Sequence, residues 1–361
     1  MSEPVDLAPT VLAPVPPSLA VVGAAIEARV RRLLDAEIER WALVDEGLRV
    51  PLTQLRTLVL AGGKRLRPAF FHWAFVGAGG DPDDPRAVDL GAALELLHTF
   101  ALVHDDVMDN ADTRRGGPAV HTEATAGHRA AGWRGEARRF GEGVAILVGD
   151  FAFVYADMLA DGLDAPARQI YDELRVELCV GQYLDLAATA SGVRDPGVAR
   201  RIEWYKSGKY TVERPLHLGA ALAGRPDDLR APLSAFGLPL GEAFQMRDDL
   251  LSVFGDPVLT GKPVGDDLRE GKLTPLVAAT AARADADGRA LLDRIGAPDI
   301  TAVEIAALQR LMVDCGAVRE VETAIEALVA ESLTALADAP ITEDARTALA
   351  ELGNFVAWRD R

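Results

Sequence analysis

The stretch Gly91–Met108 constrains the fold more than any other part of the chain. Apolar residues occupy more than one of its faces, and Glu95 and His98 are its polar interruptions. A helix apolar on most sides belongs at the centre of an all-α domain. Asp81-Pro-Asp-Asp-Pro-Arg86 breaks the chain just before it, as turn chemistry requires. Helical periodicity begins near Val21 and carries through to the C-terminus. A second break, rich in Gly and Arg, is read from Asp112 to Gly143, ahead of the apolar run Val144–Leu159. Further helices are expected at about 165–190, 197–222, 229–254 and 273–285, with a C-terminal set from about 301 to 358. Composition agrees: 49% of residues are apolar, mostly Ala and Leu, and aromatics and β-branched runs are few. Length alone suggests two domains. The linkers are short and no repeat or compositional boundary appears, so 21–361 reads as one large bundle.

A formal net charge of −17 excludes a non-specific nucleic-acid binder, which needs a basic face, but leaves room for a local basic pocket. Cys179 and Cys315 are the only cysteines, too few for a disulfide framework or a metal cluster, and both are expected as buried thiols. Residues 1–20 are Pro-rich and lack a basic leader, which reads as a disordered lead-in rather than a signal peptide. With no uninterrupted apolar run of transmembrane length, a soluble, cytoplasmic chain is expected.

The sharpest chemical signal is Val103-His-Asp-Asp-Val-Met-Asp-Asn110. Asp105 and Asp109 are four apart and share one helix face. Two like charges at the end of an apolar helix are unfavourable unless cations bind them, and magnesium bridges such carboxylates to substrate phosphates. A bare Asp pair means little here, because Asp83-Asp84, Asp227-Asp228 and Asp266-Asp267 read as solvated loop residues. Two neighbours set the 105–109 cluster apart. Asp112-Thr-Arg-Arg-Gly-Gly-Pro118 follows at once and supplies guanidiniums suited to phosphate. A distant echo, Gln245-Met-Arg-Asp-Asp-Leu-Leu-Ser252, sits on another apolar helix, and two such faces can hold several metal ions on one diphosphate.

Ala61-Gly-Gly-Lys-Arg-Leu-Arg-Pro68 places Lys64 and Arg67 after a Gly pair and before a helix-starting Pro. Such a loop can aim cations at a diphosphate, though a charged surface turn reads the same way alone. Lys206-Ser207 lies in a partly apolar helix, and Lys262 and Lys272 lie in Gly-flanked loops. His98 reads equally as a hydrogen-bonded core histidine.

From about residue 50 onward the chain resembles the polyprenyl synthetase family, the trans-isoprenyl diphosphate synthases. The matching blocks are Gly62-Gly-Lys-Arg-Leu-Arg-Pro68, Glu95-Leu-Leu-His98, Asp105-Asp-Val-Met-Asp109 with Arg114-Arg115-Gly116, Gly149-Asp150, Gly181-Gln-Tyr-Leu-Asp-Leu186, Tyr205-Lys-Ser207 and Gln245 to Asp256, then Gly261-Lys262 and Gly265-Asp-Asp-Leu268. The resemblance implies an all-α antiparallel bundle around a central cavity, of the isoprenoid synthase type and usually homodimeric. It implies several magnesium ions held by Asp105 and Asp109, with Asp106 in support, and by Asp248 with Asp249. Arg114, Lys206 and Lys262 would contact the allylic diphosphate, with Ser207 and Gln245 beside it. Lys64, Arg67, His98 and Arg115 would bind isopentenyl diphosphate. Ser252 stands where many members carry a third Asp, and Ser207 where Thr is usual.

The implied reaction is ionisation of an allylic diphosphate (dimethylallyl, geranyl or farnesyl) and its condensation with isopentenyl diphosphate. Phe100 would limit the growing tail, which points to a geranylgeranyl product; ordinary core packing is its other reading, and farnesyl or longer products are the alternatives. A class I terpene cyclase would leave Lys64, Arg67 and Arg115 unexplained, and a non-catalytic regulatory subunit would not need both Asp pairs.

Overall fold

The structure, a computed structural model, describes residues 15–193, 195–256 and 264–358. Most of the expected lead-in and Lys262 therefore lie outside the described residues. The described chain is almost wholly helical, its one sheet a two-stranded hairpin. It groups into two compact units, one of Pro17–His72 and Gly80–Ala165, the other of Trp73–Gly79 and Pro166 onward.

The first unit is built around α4, Pro85–Met108, which packs with α1 (Pro17–Ala42), α2 (Arg49–Leu60), α5 (Val120–Ala130) and α6 (Ala137–Leu159). α3, Leu66–Gly77, begins in this unit and ends in the other. The α4 start is local chemistry: Asp84 accepts the Arg86 amide at 2.8 Å, and Pro85 needs no amide partner. Asp84 is thus a cap, as the loop reading of that pair allows. Gly91 to Leu97 are all buried. Among the described residues α4 is the one helix long and apolar enough to cross a membrane, yet 61% of its apolar window is buried in protein. Its end is a Schellman motif. Asn110 takes the left-handed conformation (φ 54°), and the Ala111 amide returns to the Asp106 carbonyl at 2.9 Å.

The second unit centres on α10, Pro226–Phe254, packed against Glu203–Glu213 and against a helix at Ala317–Ala337. Glu203–Glu213 is a π-helix, continuing from α8 (Pro196–Ile202) into α9 (Arg214–Leu222), where one uninterrupted α-helix over 197–222 is expected from periodicity. Side-chain period does not register the wider hydrogen-bond ring. Two contacts bring backbones together. A Cβ on Gly241 of α10 would lie 2.5 Å from the Gly208 Cα, and one on Gly181 of α7 (Ala165–Ser191) would lie 2.2 Å from the Lys206 amide nitrogen. Both glycines lock neighbouring helices onto the segment that carries Lys206.

Three expectations are corrected. The Asp112–Gly143 break contains helix α5, and α6 starts at Ala137; α5 is hidden because its buried face, Val120, His121, Thr125 and His128, is itself mostly polar. Asp227 and Asp228 lie in the first turn of α10, where the helix dipole favours them. Cys179 is exposed and Cys315 partly so, against the expectation of two buried thiols. Cys179 shares the outward face of α7 with Val176, Val180 and Tyr183, so its residue type misleads.

Gly181→Ala forces the α7 backbone off Lys206. We expect it to cost about 1–3 kcal/mol, measured as a lowered denaturant midpoint; an unchanged midpoint would show that the close approach carries no stability.

Candidate active site

In the first unit, Asp105 and Asp109 lie on the last turn and C-cap of α4, both partly buried. Carboxylates there face the negative pole of the helix as well as each other. The residue between them is placed differently. Asp106 is 1% exposed and grips Arg114, whose Nε donates to it at 2.7 Å and whose Nη2 also reaches it. Nη2 lies 3.8 Å from the Asp105 carboxylate. Asp106 is thus held by a guanidinium in the interior.

The hairpin that delivers Arg114 is two residues wide. Thr113 pairs with Pro118 and Arg114 with Gly117, while Arg115 and Gly116 both have positive φ, 52° and 77°. This type I′ turn sends adjacent arginines to different partners. Arg114 goes to α4, and Arg115 donates to the Leu58 carbonyl at 2.8 Å.

Gly62 and Gly63 have φ values of 98° and 135°, and a Cβ on Gly63 would lie 3.2 Å from the Arg115 guanidinium. The glycine pair therefore lets the Lys64–Arg67 loop approach Arg115. Between Lys64 and Arg67 sits Arg65, which the sequence reasoning passed over. It is 6% exposed, pairs with Glu95 and with Glu27 (3.1 Å), and donates to the Val59 carbonyl at 2.7 Å. The available signal was Glu95, an acid in the middle of an apolar helix and therefore in need of a buried cation. Arg65 anchors the loop from inside, and Lys64 and Arg67 on either side of it are partly exposed.

His98 lies in the same neighbourhood. Burial, and then the like charges of Arg67, Arg115, Arg114 and Arg65, push its pKa well below the usual histidine range, so its ring is neutral at pH 7. Burial and the neighbouring arginines also lower the pKa of Arg115. A cluster of like cations that destabilises further positive charge is set up to receive an anion. Phe100 packs on Phe153 of α6 (4.9 Å between centroids) and on His104 (4.7 Å).

In the second unit, Lys206 Nζ meets Asp185 at 2.5 Å, one turn along α7 from Gly181. Ser207 follows, partly buried. Gln245 Nε2 donates to Asp249 at 2.7 Å. Asp249 is 3% exposed and Glu203 4% exposed; burial, then neighbouring carboxylates, push both pKa values well up. Asp248 is partly exposed beside them. Asp249 is therefore an interior acid held by Gln245, and Asp248 is the more exposed member of the pair. The Ser252 hydroxyl accepts the Asp267 amide at 3.2 Å, so the residue in place of a third Asp steadies the start of the helix Asp266–Glu270. Lys272 pairs with Glu270 at 2.5 Å.

Among the described residues no three His, Cys, Asp or Glu side chains form a group that could hold a metal ion. Two hard carboxylates one turn apart beside arginines suit magnesium, which takes one or two protein carboxylates and completes its shell from water and substrate phosphate.

An all-helical chain with carboxylates ending a central helix and arginines crowding around them has the makings of a diphosphate-handling enzyme. Residues 51–312 match the family model described as polyprenyl synthetase. A geranylfarnesyl diphosphate synthase from Aeropyrum pernix is 33% identical over 275 residues, 74% of this chain and 80% of that one. A geranylgeranyl diphosphate synthase from Methanosarcina mazei is 32% identical over 317 residues, 84% and 88% of the two chains. The solved structure of a geranylgeranyl pyrophosphate synthase from Corynebacterium glutamicum, complexed with isoprenyl diphosphate and magnesium, superposes with a TM-score of 0.85. It is 36% identical and covers 92% of this chain and 98% of its own. The chain belongs to the polyprenyl synthetase family. It has the all-α isoprenoid synthase fold and is a prenyltransferase of the isoprenyl diphosphate synthase type.

Asp106→Ala strands the Arg114 guanidinium in the interior. We expect a loss of about 3–5 kcal/mol in unfolding free energy, and a smaller loss for Asp106→Asn, by denaturant titration. Equal stability of Asp106→Ala and the parent would contradict the clasp.

Proposed function

We propose that this chain condenses isopentenyl diphosphate with an allylic diphosphate (dimethylallyl, geranyl or farnesyl) using several magnesium ions, and that its main product is geranylgeranyl diphosphate. The observation that carries this is the placement, within the first unit, of Asp105 beside Arg114 at the end of α4 and of Arg67 and Arg115 around neutral His98. One set suits a metal-bound diphosphate and the other a second, directly bound one.

Asp105 and Asp109 would hold magnesium with Asp106, itself on Arg114, in support, and Asp248 would hold it with Asp249, itself on Gln245. Bound magnesium supplies the positive charge that lets the allylic diphosphate depart. Arg114, Lys206 and Lys262 take up the developing negative charge, with Ser207 and Gln245 beside them. Lys64, Arg67, Arg115 and the neutral His98 hold isopentenyl diphosphate, whose double bond attacks the allylic cation left once the allylic carbon–oxygen bond has ionised. The proton then leaves the adduct to the released diphosphate. Residues 21–361 act as one catalytic domain.

The tail grows along α4 towards its N-terminal end. Phe100 lies five residues before Asp105, about 7.5 Å along the axis, and its packing on Phe153 and His104 fixes its ring. We assign it as the limit on chain length. The chain acts in the cytoplasm as a homodimer. Support for the dimer comes from Leu147, Val154 and Met158, an exposed apolar stripe on one face of α6.

The purified chain, given isopentenyl diphosphate, allylic primers and magnesium, should yield mainly a C20 alcohol after dephosphorylation and chromatography. Absence of any elongated product would overturn the assignment. Asp105→Ala, Asp109→Ala and Asp248→Ala should each lower turnover by about two to three orders of magnitude or more; near-normal turnover in all three would remove these carboxylates from the chemistry. Phe100→Ala should shift the products beyond C20, and an unchanged distribution would remove Phe100 as the limit.

A further inference from the structure

The turn between α5 and α6 is chemically unlike the rest of the chain. Residues 129–140 carry Arg129, Arg134, Arg138 and Arg139 against the single acid Glu136, in a protein of net charge −17. All of them but Ala137 are exposed. Arg138 pairs with Glu142, whereas Arg129, Arg134 and Arg139 form no ion pair among the described residues. Trp133 is 59% exposed and stacks edge-on against Phe140, itself 38% exposed, at 5.3 Å.

The turn is ordered. The His128 Nε2–H donates to the Arg134 carbonyl at 3.1 Å, the Trp133 amide returns to the His128 carbonyl, and Gly132 and Gly135 supply positive φ. A fixed turn thus presents an aromatic pair beside four exposed guanidiniums, one of them paired with Glu142.

Its position follows from α4 and α6, which run antiparallel, Phe100 against Phe153 and His104 against Gly149. Counting back from Gly149 to Ala137 carries α6 past Asp109, so the turn stands on the order of 10 Å beyond the carboxylate end of α4.

We propose that this turn docks the protein on an anionic lipid surface. Indole and phenyl rings settle at the headgroup boundary while arginines meet lipid phosphates, and four basic residues in one patch give a reversible, salt-sensitive contact. A second copy is a poorer occupant. A two-fold contact sets a patch against itself and would bring these arginines together with only Glu136 and Glu142 of each copy to offset them. Docking here faces the substrate end of α4 towards the bilayer, where a prenyl product partitions.

The test is flotation of the purified full-length chain, without substrates, with vesicles of phosphatidylcholine alone or mixed with phosphatidylglycerol. The protein should float with the anionic vesicles only. It should be released as salt rises from about 0.1 to about 1 M, which shortens the Debye length from about 10 to about 3 Å. Arg134→Glu/Arg139→Glu should lower the bound fraction about tenfold or more, and Trp133→Ser should also weaken it, with unchanged thermal midpoints and unchanged condensation of soluble substrates. Failure of the parent to float, or equal flotation of the charge-reversal variant, would overturn the proposal. So would conversion of that variant from dimer to monomer on size exclusion, which would assign the patch to contact between copies.

Discussion

Negative charge gathered at the C-terminal end of a central apolar helix is the constraint around which the first unit is arranged. Asp105, Asp106 and Asp109 stand where the α4 dipole already disfavours anions. One of the three is neutralised from within, by the clasp of Asp106 on Arg114. The type I′ turn exists to bring that arginine in without dragging Arg115 after it. The other two carboxylates are partly exposed and one helical turn apart, a spacing at which one cation can meet both. Around His98 the sign reverses: four guanidiniums crowd together, and the histidine answers by staying neutral. The acidic end of α4 and the basic group around His98 thus meet at Arg114, which clasps Asp106 and is among the charges acting on His98.

The second unit handles interior charge by other means. Asp249 and Glu203 are buried near one another and are pushed towards their neutral forms. Gln245 fixes Asp249, and Ser252 fixes the start of the following helix. Lys206 is held by Asp185 because Gly181 lets two backbones meet. Steric closeness at a glycine sets the reach of a charged side chain, and that links the packing of this unit to its chemistry.

Much of this was legible in the sequence because it is carried by spacing. The four-residue step from Asp105 to Asp109, the apolar run of α4 and the long helices α7 and α10 follow from periodicity alone. Lys64, Arg67, Arg114 and Arg115 stand out by residue type, beside a Gly pair and just after the carboxylates, and the family resemblance gives them their roles. What was hidden depends on partners distant in sequence or on backbone hydrogen bonding. Arg65 looks like its neighbours until Glu95 is placed beside it. Asp106 shares its residue type with Asp105, yet its direction from the helix sends it inward to Arg114. Likewise Asp249 cannot be told from Asp248 by composition, only by burial. The π-helix at Glu203–Glu213 leaves no mark on the apolar pattern, and α5 is masked because its buried face is itself mostly polar.

The central claim is that the α4 carboxylates bind a diphosphate only through a bridging cation. It is tested most directly by thermal unfolding of the intact chain with magnesium alone, inorganic diphosphate alone, and both together. The account predicts that the two together raise the midpoint by clearly more than the sum of their separate effects, and that Asp105→Ala/Asp109→Ala abolishes the excess. Additive shifts, or an excess that survives in that variant, would contradict it.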